Sequence, residues 1–323
     1  MRPVRTAVIG AGVFGARHVE KYAALPEATL VAVVDRDADR AAEIAARFGV
    51  MALTDHRDLP TDVEAVSVAT PTAAHHAVGM DLIARGVHLL IEKPMARTVA
   101  EAAALADAAE AAGVVLQVGH IERHSSVFGA LRRMVDRPLF IQSDRIAAFT
   151  GRSTDVNVVL DLMIHDIDLV IALVGAPIAS IEAVGAPVLT ATEDIANARI
   201  GFENGCVATI TASRISYKTE RKLRVFQRDS YIVADLAARR INRVSRSGGE
   251  GTAPELSAAA EDLPQTDSLM AEIAAFLSAV RTGAPPPVTG RDGVAALRTA
   301  LAIGESLSRH RALVSRMLAE EAR

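Results

Sequence analysis

The chain has no tryptophan, few aromatic residues of any kind (3%) and one cysteine, Cys206, in 323 residues. A lone thiol excludes an internal disulfide framework and any cysteine-based zinc or iron–sulfur site, and it fits a reducing compartment. Scarce aromatics mean a core of small aliphatic side chains with few stacking platforms. An excess of one charge is also missing: the formal net charge is −4 and no long basic run occurs. The electrostatic footprint of a nucleic-acid binder is therefore absent, and small molecules are the expected partners. No run reaches the ~18 uninterrupted apolar residues of a membrane span. The apolar stretch within MRPVRTAVIGAGVFG superficially resembles a signal peptide, but glycines break it within a few residues. A soluble, cytoplasmic protein with no membrane partner is the expectation.

What is present is length enough for two cores and an apolar content of 50%. From Thr6 to about Val118, short β-branched runs (TAVIG, ATLVAVVD, AVSVAT, VHLLIE, VVLQVG) alternate with helical segments such as ARHVEKYAAL, DADRAAEIAARFG and ARTVAEAAALADAAEAAG. That alternation is the signature of β-α-β units around a parallel sheet. Gly113 reads as a C-terminal cap. After Gly119 the texture changes. Helical stretches near Ser126–Val135 and in VVLDLMIHDIDLVIALVG flank a strand in LFIQSDRIAAF. A run of strands follows (SIEAVGAPV, IANARIGF, GCVATITASR, KLRVFQRDS, YIVADL), with hairpin chemistry at Glu203–Gly205. Residues 246–263 read as a loop, and helices split by GAPPPVTG follow from about Asp267. The fold class is α/β: a doubly wound parallel sheet over 1–119, then a substrate and oligomerisation domain over 120–323 with a mostly antiparallel sheet. The helices from about 267 are expected to pack back toward the first domain.

AVIGAGVFGARH sets Gly10, Gly12 and Gly15 between a strand and a helix, matching G-x-G-x-x-G in its required context. Gly10 permits the tight turn, Gly12 leaves space for a pyrophosphate, and Gly15 lets the helix pack closely so that its amides, near Val13 and Phe14, face the anion. Asp35 ends the second strand twenty residues after Gly15, where a carboxylate binds both ribose hydroxyls and repels a 2′-phosphate. NAD is therefore preferred to NADP, with Arg36 beside it the residue type that accommodates the phosphate. A helix N-cap is the alternative role of Asp35.

Thr70 and Pro71 turn the chain over the cofactor near the switch point of the sheet. His75 and His76 beyond them read as exposed or capping residues of the next helix, with His75 kept as a cofactor-side candidate. Glu92-Lys93-Pro94 ends the apolar strand VHLLI with two strongly hydrated groups, where loops of an open α/β sheet carry chemistry. Lys93 is either a surface charge paired with Glu92 or a reactive lysine. VVLDLMIHDIDLV offers Asp161, His165, Asp166 and Asp168, and Asp161 and His165, four apart, share one helix face. A general-base histidine needs a pKa near the working pH and an orienting partner, which Asp161 can be. SRISYKTERKLRVFQR concentrates Arg214, Lys218, Arg221, Lys222, Arg224 and Arg228. It reads as a solvated face or oligomer contact, from which Arg214 or Lys218 could reach a diphosphate. His120, Glu122 and His124 could share one face of an extended segment, but no metal is expected, because hydride chemistry needs none. Contact of Glu122 or Arg123 with substrate is the better reading. Cys206, opening a strand after a turn, reads as packing.

Together, and in this order, GAGVFG, ATPTAAH, EKP and DLMIH resemble the Gfo/Idh/MocA oxidoreductases, named for glucose-fructose oxidoreductase and inositol dehydrogenase, over nearly the whole chain. The resemblance implies a Rossmann domain and an α/β domain whose open sheet face often mediates oligomerisation, as homodimer or homotetramer. It implies that Lys93 is the EKP lysine and that Asp161 and His165 are the remaining catalytic pair. Hydride then leaves a carbinol carbon for nicotinamide, His165 takes the hydroxyl proton and Lys93 stabilises the charge on oxygen. VGHIERHSSVFGAL and DLMIHDIDLV resemble the subgroup that oxidises the 3-hydroxyl of UDP-activated amino sugars of the UDP-N-acetylglucosamine type, for lipid A or surface polysaccharide. Two features depart from the pattern: NVVLD lacks a glycine pair before the aspartate, and His124, Ser125 and Ser126 follow GHIER. The alternatives are a dehydrogenase of a free sugar or cyclitol such as myo-inositol, and a non-catalytic dinucleotide-binding regulator on the same fold.

Overall fold

The computed structural model of the chain describes residues 2–149, 157–247 and 255–321. It divides into two compact units, Met1–His124 with Asp267–Leu297 and Ser125–Thr266 with Arg298–Arg323. In the first unit, strands β1 (Val4–Ile9), β2 (Ala28–Val34), β3 (Met51–Leu53), β4 (Ala65–Val68), β5 (His88–Glu92) and β6 (Leu116–Gly119) alternate with helices α1 (Val13–Ala24), α2 (Ala38–Phe48), α3 (Thr72–Ala84) and α4 (Val99–Ala112). All the strand pairs are parallel, in the order β3-β2-β1-β4-β5-β6. The order reverses between β1 and β4, which opens a crevice at the carboxyl ends of those strands. β3 was not foreseen: three residues are too few for a periodic signal.

α1 buries one face. Gly15, His18, Val19 and Tyr22 make a buried stripe along α1, spaced three and four apart. Val8 and Val33 of the sheet, Val19 and Tyr22 of α1, and Leu269, Ile273 and Phe276 of α7 (Ser268–Thr282) form one apolar core. Asp37 caps α2 by accepting the Arg40 N–H, and Thr98 caps α4 from Glu101. Gly113 closes α4 in the left-handed conformation expected of it.

The second unit holds α5 (Ser126–Met134), α6 (Ile164–Val174) and an eight-stranded sheet. Its strands are β7 (Pro138–Ile146), β8 (Ile178–Ala186), β9 (Ile195–Phe202), β10 (Val207–Ser213), β11 (Glu220–Gln227), β12 (Ser230–Asp235), β13 (Arg240–Ser247) and β14 (Glu255–Asp262). The order β14-β13-β12-β11-β7-β10-β9-β8 is antiparallel except where β10 runs parallel to β7. Alternate residues, such as Ile141 and Ser143, Leu223 and Val225, and Ile232 and Ala234, are buried on one face. α8 (Gly290–Glu321) contributes to both units, and in the second Ser306 Oγ accepts the Ala183 N–H at 2.9 Å.

The reading of 246–263 as a loop is corrected: β13 continues to Ser247 and β14 pairs with it antiparallel, while 248–254 lie outside the described residues. Every residue of β14 is exposed, so it has no buried face and no alternation to reveal it; backbone pairing alone defines it. No helix among the described residues is long and apolar enough to cross a membrane.

Candidate functional site

The crevice at the switch point is a cavity of about 620 Å³ in the first unit. The glycine turn between β1 and α1 lines it, and each glycine answers to a different constraint. Gly10 has φ +94°, and a Cβ there would stand 2.6 Å from the Ala69 carbonyl oxygen. A Cβ on Gly15 would stand 1.7 Å from the Gly10 carbonyl oxygen, so α1 can start this close to the turn only with glycine there. Gly12 is different: apart from its chain neighbours, nothing crowds its Cβ position within 4 Å, and its φ is an ordinary −67°. A Cβ there would only take space from the cavity. No side chain caps α1 and no acidic residue sits in its first turn, so its orphan amides and positive dipole end suit an anion. These features fit the pyrophosphate of a dinucleotide.

Asp35 lies at the end of β2, 8% exposed. One carboxylate oxygen accepts the Ala11 N–H at 2.7 Å and the other the Asp37 N–H at 3.0 Å. A carboxylate has about four acceptor sites, so capacity remains for ribose hydroxyls. The helix cap belongs to Asp37, which frees Asp35 from that role. Val13, Phe14, Arg36, Thr70 and Pro71 also line the cavity, together with Arg40, Thr54 and His56, which sequence reasoning missed. Arg40 lies 3.5 Å from Asp35 and 3.0 Å from Asp37. It sits five residues after Asp35 on the first turn of α2, a position readable once the cap is placed at Asp37. His56 comes from a 3₁₀ turn after β3 that no periodicity announces.

Gly15, His75, Glu92 and Lys93 are not in the lining of this cavity. His75 is 1% exposed, which corrects the exposed or capping reading. Its two ring nitrogens meet the Pro94 carbonyl at 2.9 Å and the Thr70 carbonyl at 2.8 Å, so the ring ties the two turns together. Burial pushes its pKa down, against the opposing effect of those two carbonyls. Lys93 and Pro94 are joined by a cis peptide bond. The Lys93 N–H donates to Glu92 Oε2 at 3.3 Å, and His18 Nε2 lies 3.0 Å from Glu92 Oε1. His18 carried a signal that went unused: a histidine on the apolar stripe of α1, level with a serine in the buried strand AVSVAT.

In the second unit, Asp161 lies in a π-helical turn, Val159–Met163, and His165 is the second residue of α6 that follows it. The helical segment is therefore not one regular α-helix, and π turns are frequent at functional sites. Both side chains are half-buried. Asp166 and Asp168 are buried. Asp166 bonds the Arg145 guanidinium and, at 2.8 Å, the Ser143 hydroxyl, so its charge is used inside the unit. Arg214 is corrected in the same sense. At 5% exposure it donates to Asp194 at 2.9 Å and to Thr190 and Thr192 at 3.0 and 2.9 Å. That network fixes the turn before β9, and diphosphate contact is not the role this geometry supports. Lys218 stays on the surface.

Ile121–His124 is a 3₁₀ turn, so His120, Glu122 and His124 do not share an extended face; Arg123 pairs with Asp292 at 3.6 Å. Cys206 is 2% exposed, and burial pushes its thiol up to about 11, consistent with packing.

Residues 4–120 match the model of the oxidoreductase family with an NAD-binding Rossmann fold, and residues 129–233 match the GFO/IDH/MocA C-terminal domain. The chain is 38% identical over 304 residues to a UDP-N-acetylglucosamine 3-dehydrogenase of Acidithiobacillus ferrooxidans, covering 93% of this chain and 96% of that one. It is 27% identical to a myo-inositol 2-dehydrogenase of Thermotoga maritima, covering 96% and 98%. A solved structure of the Acidithiobacillus ferrooxidans UDP-N-acetylglucosamine 3-dehydrogenase superposes with a TM-score of 0.90 at 36% identity, covering 96% of this chain and 99% of that one.

Proposed function

Because the chain belongs to the GFO/IDH/MocA family of NAD-binding oxidoreductases, we propose that it oxidises the 3-hydroxyl of a UDP-activated amino sugar of the UDP-N-acetylglucosamine type to a 3-keto sugar. The observation that carries the substrate class is the 38% identity along 93% of the chain to an enzyme of that name. NAD, when bound, supplies the acceptor for the hydride leaving the sugar carbon.

This chain's residues do the rest. The Gly10–Gly15 turn and the first amides of α1 hold the pyrophosphate, and Asp35 takes the ribose hydroxyls. A 2′-phosphate would bring like charge against Asp35, and Arg40 is already shared between Asp35 and Asp37. NAD is therefore the cofactor rather than NADP. Lys93 hydrogen-bonds the reacting oxygen and stabilises its negative charge. His165 removes the hydroxyl proton, and Asp161 orients the imidazole and favours its protonated form. Glu122 and Arg123 bind the substrate. We place the enzyme in the cytoplasm as a homodimer or homotetramer, which light scattering on the eluted protein checks.

The test is a panel of UDP-sugars, free sugars and myo-inositol with NAD or NADP, read as reduced cofactor. Turnover of UDP-N-acetylglucosamine with NAD, inhibited by UDP, is the expected result. Turnover of myo-inositol untouched by UDP would replace the substrate with a free cyclitol.

A further inference from the structure

Three polar side chains lie in the apolar interior of the first unit beneath the Glu92-Lys93-Pro94 turn. Tyr22 and His18 project from the buried stripe of α1, and Ser67 from β4; all three are fully buried. Tyr22 Oη lies 2.8 Å from Ser67 Oγ, Ser67 Oγ 3.0 Å from His18 Nδ1, and His18 Nε2 3.0 Å from Glu92 Oε1. The carboxylate can only accept, so His18 Nε2 carries the proton it donates. For the neutral ring, Nδ1 then accepts from the Ser67 hydroxyl, which in turn accepts from Tyr22. The donors run one way, from the tyrosine to the carboxylate, and each member is satisfied. Burial pushes the Tyr22 pKa up, against the pull of the Ser67 hydrogen bond, so the chain begins at a hydroxyl that keeps its proton.

Glu92 is held from two further sides. Its second oxygen accepts the Lys93 N–H. On β6, which pairs Gly119 with Glu92, a Cβ at residue 119 would stand 2.7 to 2.9 Å from the carboxyl group of Glu92. The strand leaves room for that carboxylate where any side chain would displace it. His18 also packs its ring on Phe14, 5.5 Å away and tilted by 57°, and Phe14 lines the dinucleotide cavity.

We propose that His18 is a positioning residue for the oxidation: clamped by Ser67, it fixes the Glu92 carboxylate against the backbone of Lys93 and so sets the placement and ionisation of that lysine. The proposal rests on the assignment of Lys93 to the reacting hydroxyl. A purely apolar interior would have served the core of α1 as well, and a half-satisfied polar network would have been worse. The intact chain instead ends on the residue that precedes the lysine.

The test uses His18→Ala, His18→Gln, which keeps a donor near Nε2, and Glu92→Gln, alone and combined, in the full chain. Readouts are kcat with UDP-N-acetylglucosamine and NAD, its pH profile, NAD affinity, and the pH dependence of Lys93 acylation by acetic anhydride, followed by peptide mass spectrometry. For His18→Ala we expect kcat to fall about 10- to 100-fold, as for loss of a charge-assisted hydrogen bond, with NAD affinity within about twofold and a displaced Lys93 acylation profile. His18→Gln restores most of both, and adding Glu92→Gln to His18→Ala costs nothing further. Unchanged kcat in His18→Ala, additive losses in the double variant, or equal losses in His18→Ala and His18→Gln accompanied by lost NAD affinity would overturn it. If His18→Ala does not fold, Glu92→Gln alone decides: a fall in kcat with a displaced Lys93 acylation profile supports the proposal, and both unchanged overturns it. Acylation needs no substrate. A wild-type enzyme inert toward UDP-N-acetylglucosamine whose Lys93 still responds to His18 refutes the substrate assignment and leaves the positioning intact. A Lys93→Ala enzyme with normal turnover refutes the role of Lys93 instead.

Discussion

Asp35 in the first unit and Asp194 in the second are both withdrawn from solvent, yet they are held differently. Asp35 accepts one backbone N–H on each oxygen and borders a cavity. Asp194 is fully buried. One of its oxygens accepts the amides of Val188, Leu189 and Thr190, and the other accepts from the Thr190 hydroxyl and Arg214. Acceptor capacity left over at the end of a strand is what a ligand can use, whereas a saturated carboxylate fixes a turn. Glu92, at the end of β5, and Asp166, closed against Arg145 and Ser143, each carry a partner on both oxygens and belong with the carboxylates that fix their surroundings.

The largest effect that sharpens this comparison belongs to the strand-end group proposed to stabilise the reacting oxygen. Lys93→Ala should lower kcat about 10²- to 10⁴-fold, the range for loss of a positioned acid–base or charge-stabilising group. The thermal midpoint should move little, because the residue is half-buried on a turn and outside the apolar core. A large fall in melting temperature with modest loss of kcat would put Lys93 with the turn-holding groups instead.

Next comes the closed network. Arg214→Ala leaves Asp194 as a buried charge without its cation and should destabilise the protein by about 3 to 5 kcal/mol. Denaturant unfolding measures this, with NAD affinity of the folded fraction unchanged. Burial acts to raise the Asp194 pKa, but the Leu189, Thr190 and Val188 amides outweigh it and hold the carboxyl well below its ordinary value. A folded-state pKa below the unfolded value of about 3.9 stabilises fully above that pH. The contribution is lost as pH falls from there toward the depressed folded value. The stability difference between wild type and Asp194→Ala should therefore be flat above about pH 5 and shrink below about pH 4. A difference that grows on acidification would contradict the assignment.

How far the sequence discloses all this depends on whether a group's role is local. Gly10, Gly12, Gly15 and Asp35 were legible because strand, turn and helix impose their spacing within one β-α-β unit. The parallel sheet was legible for the same reason, down to the Gly113 cap. β14 was not, since a strand exposed on both faces has no hydrophobic period. The His18–Ser67–Glu92 contacts join residues 49 and 74 positions apart, and only the fold brings them together. Arg214 was misread because its charge looked available; the partner that uses it, Asp194, lies twenty positions upstream and across a hairpin.

Asp35→Ala should come third. Losing charge-assisted hydrogen bonds to the ribose should weaken NAD binding by about 10- to 100-fold, while removal of like charge narrows or reverses the preference over NADP. Titration with each cofactor reads both. A destabilised variant whose folded fraction keeps the wild-type cofactor affinity and preference would make Asp35 a second Asp194.

The finest distinction is between two glycines three residues apart. Alanine at 15 puts its Cβ 1.7 Å from the Gly10 carbonyl oxygen, so the turn or the helix must move and the melting temperature of the cofactor-free protein should fall. Alanine at 12 meets no atom within 4 Å beyond its chain neighbours and keeps an accessible φ of −67°. Gly12→Ala should therefore leave that melting temperature unchanged or slightly higher, through a less flexible unfolded chain. It should still weaken NAD by about 1 to 2 kcal/mol, the usual cost of an extra carbon in a close-fitting contact. The two variants thus separate glycine needed by the protein from glycine needed by its ligand. Equal loss of stability in both would show that the space over Gly12 belongs to the fold and not to a pyrophosphate.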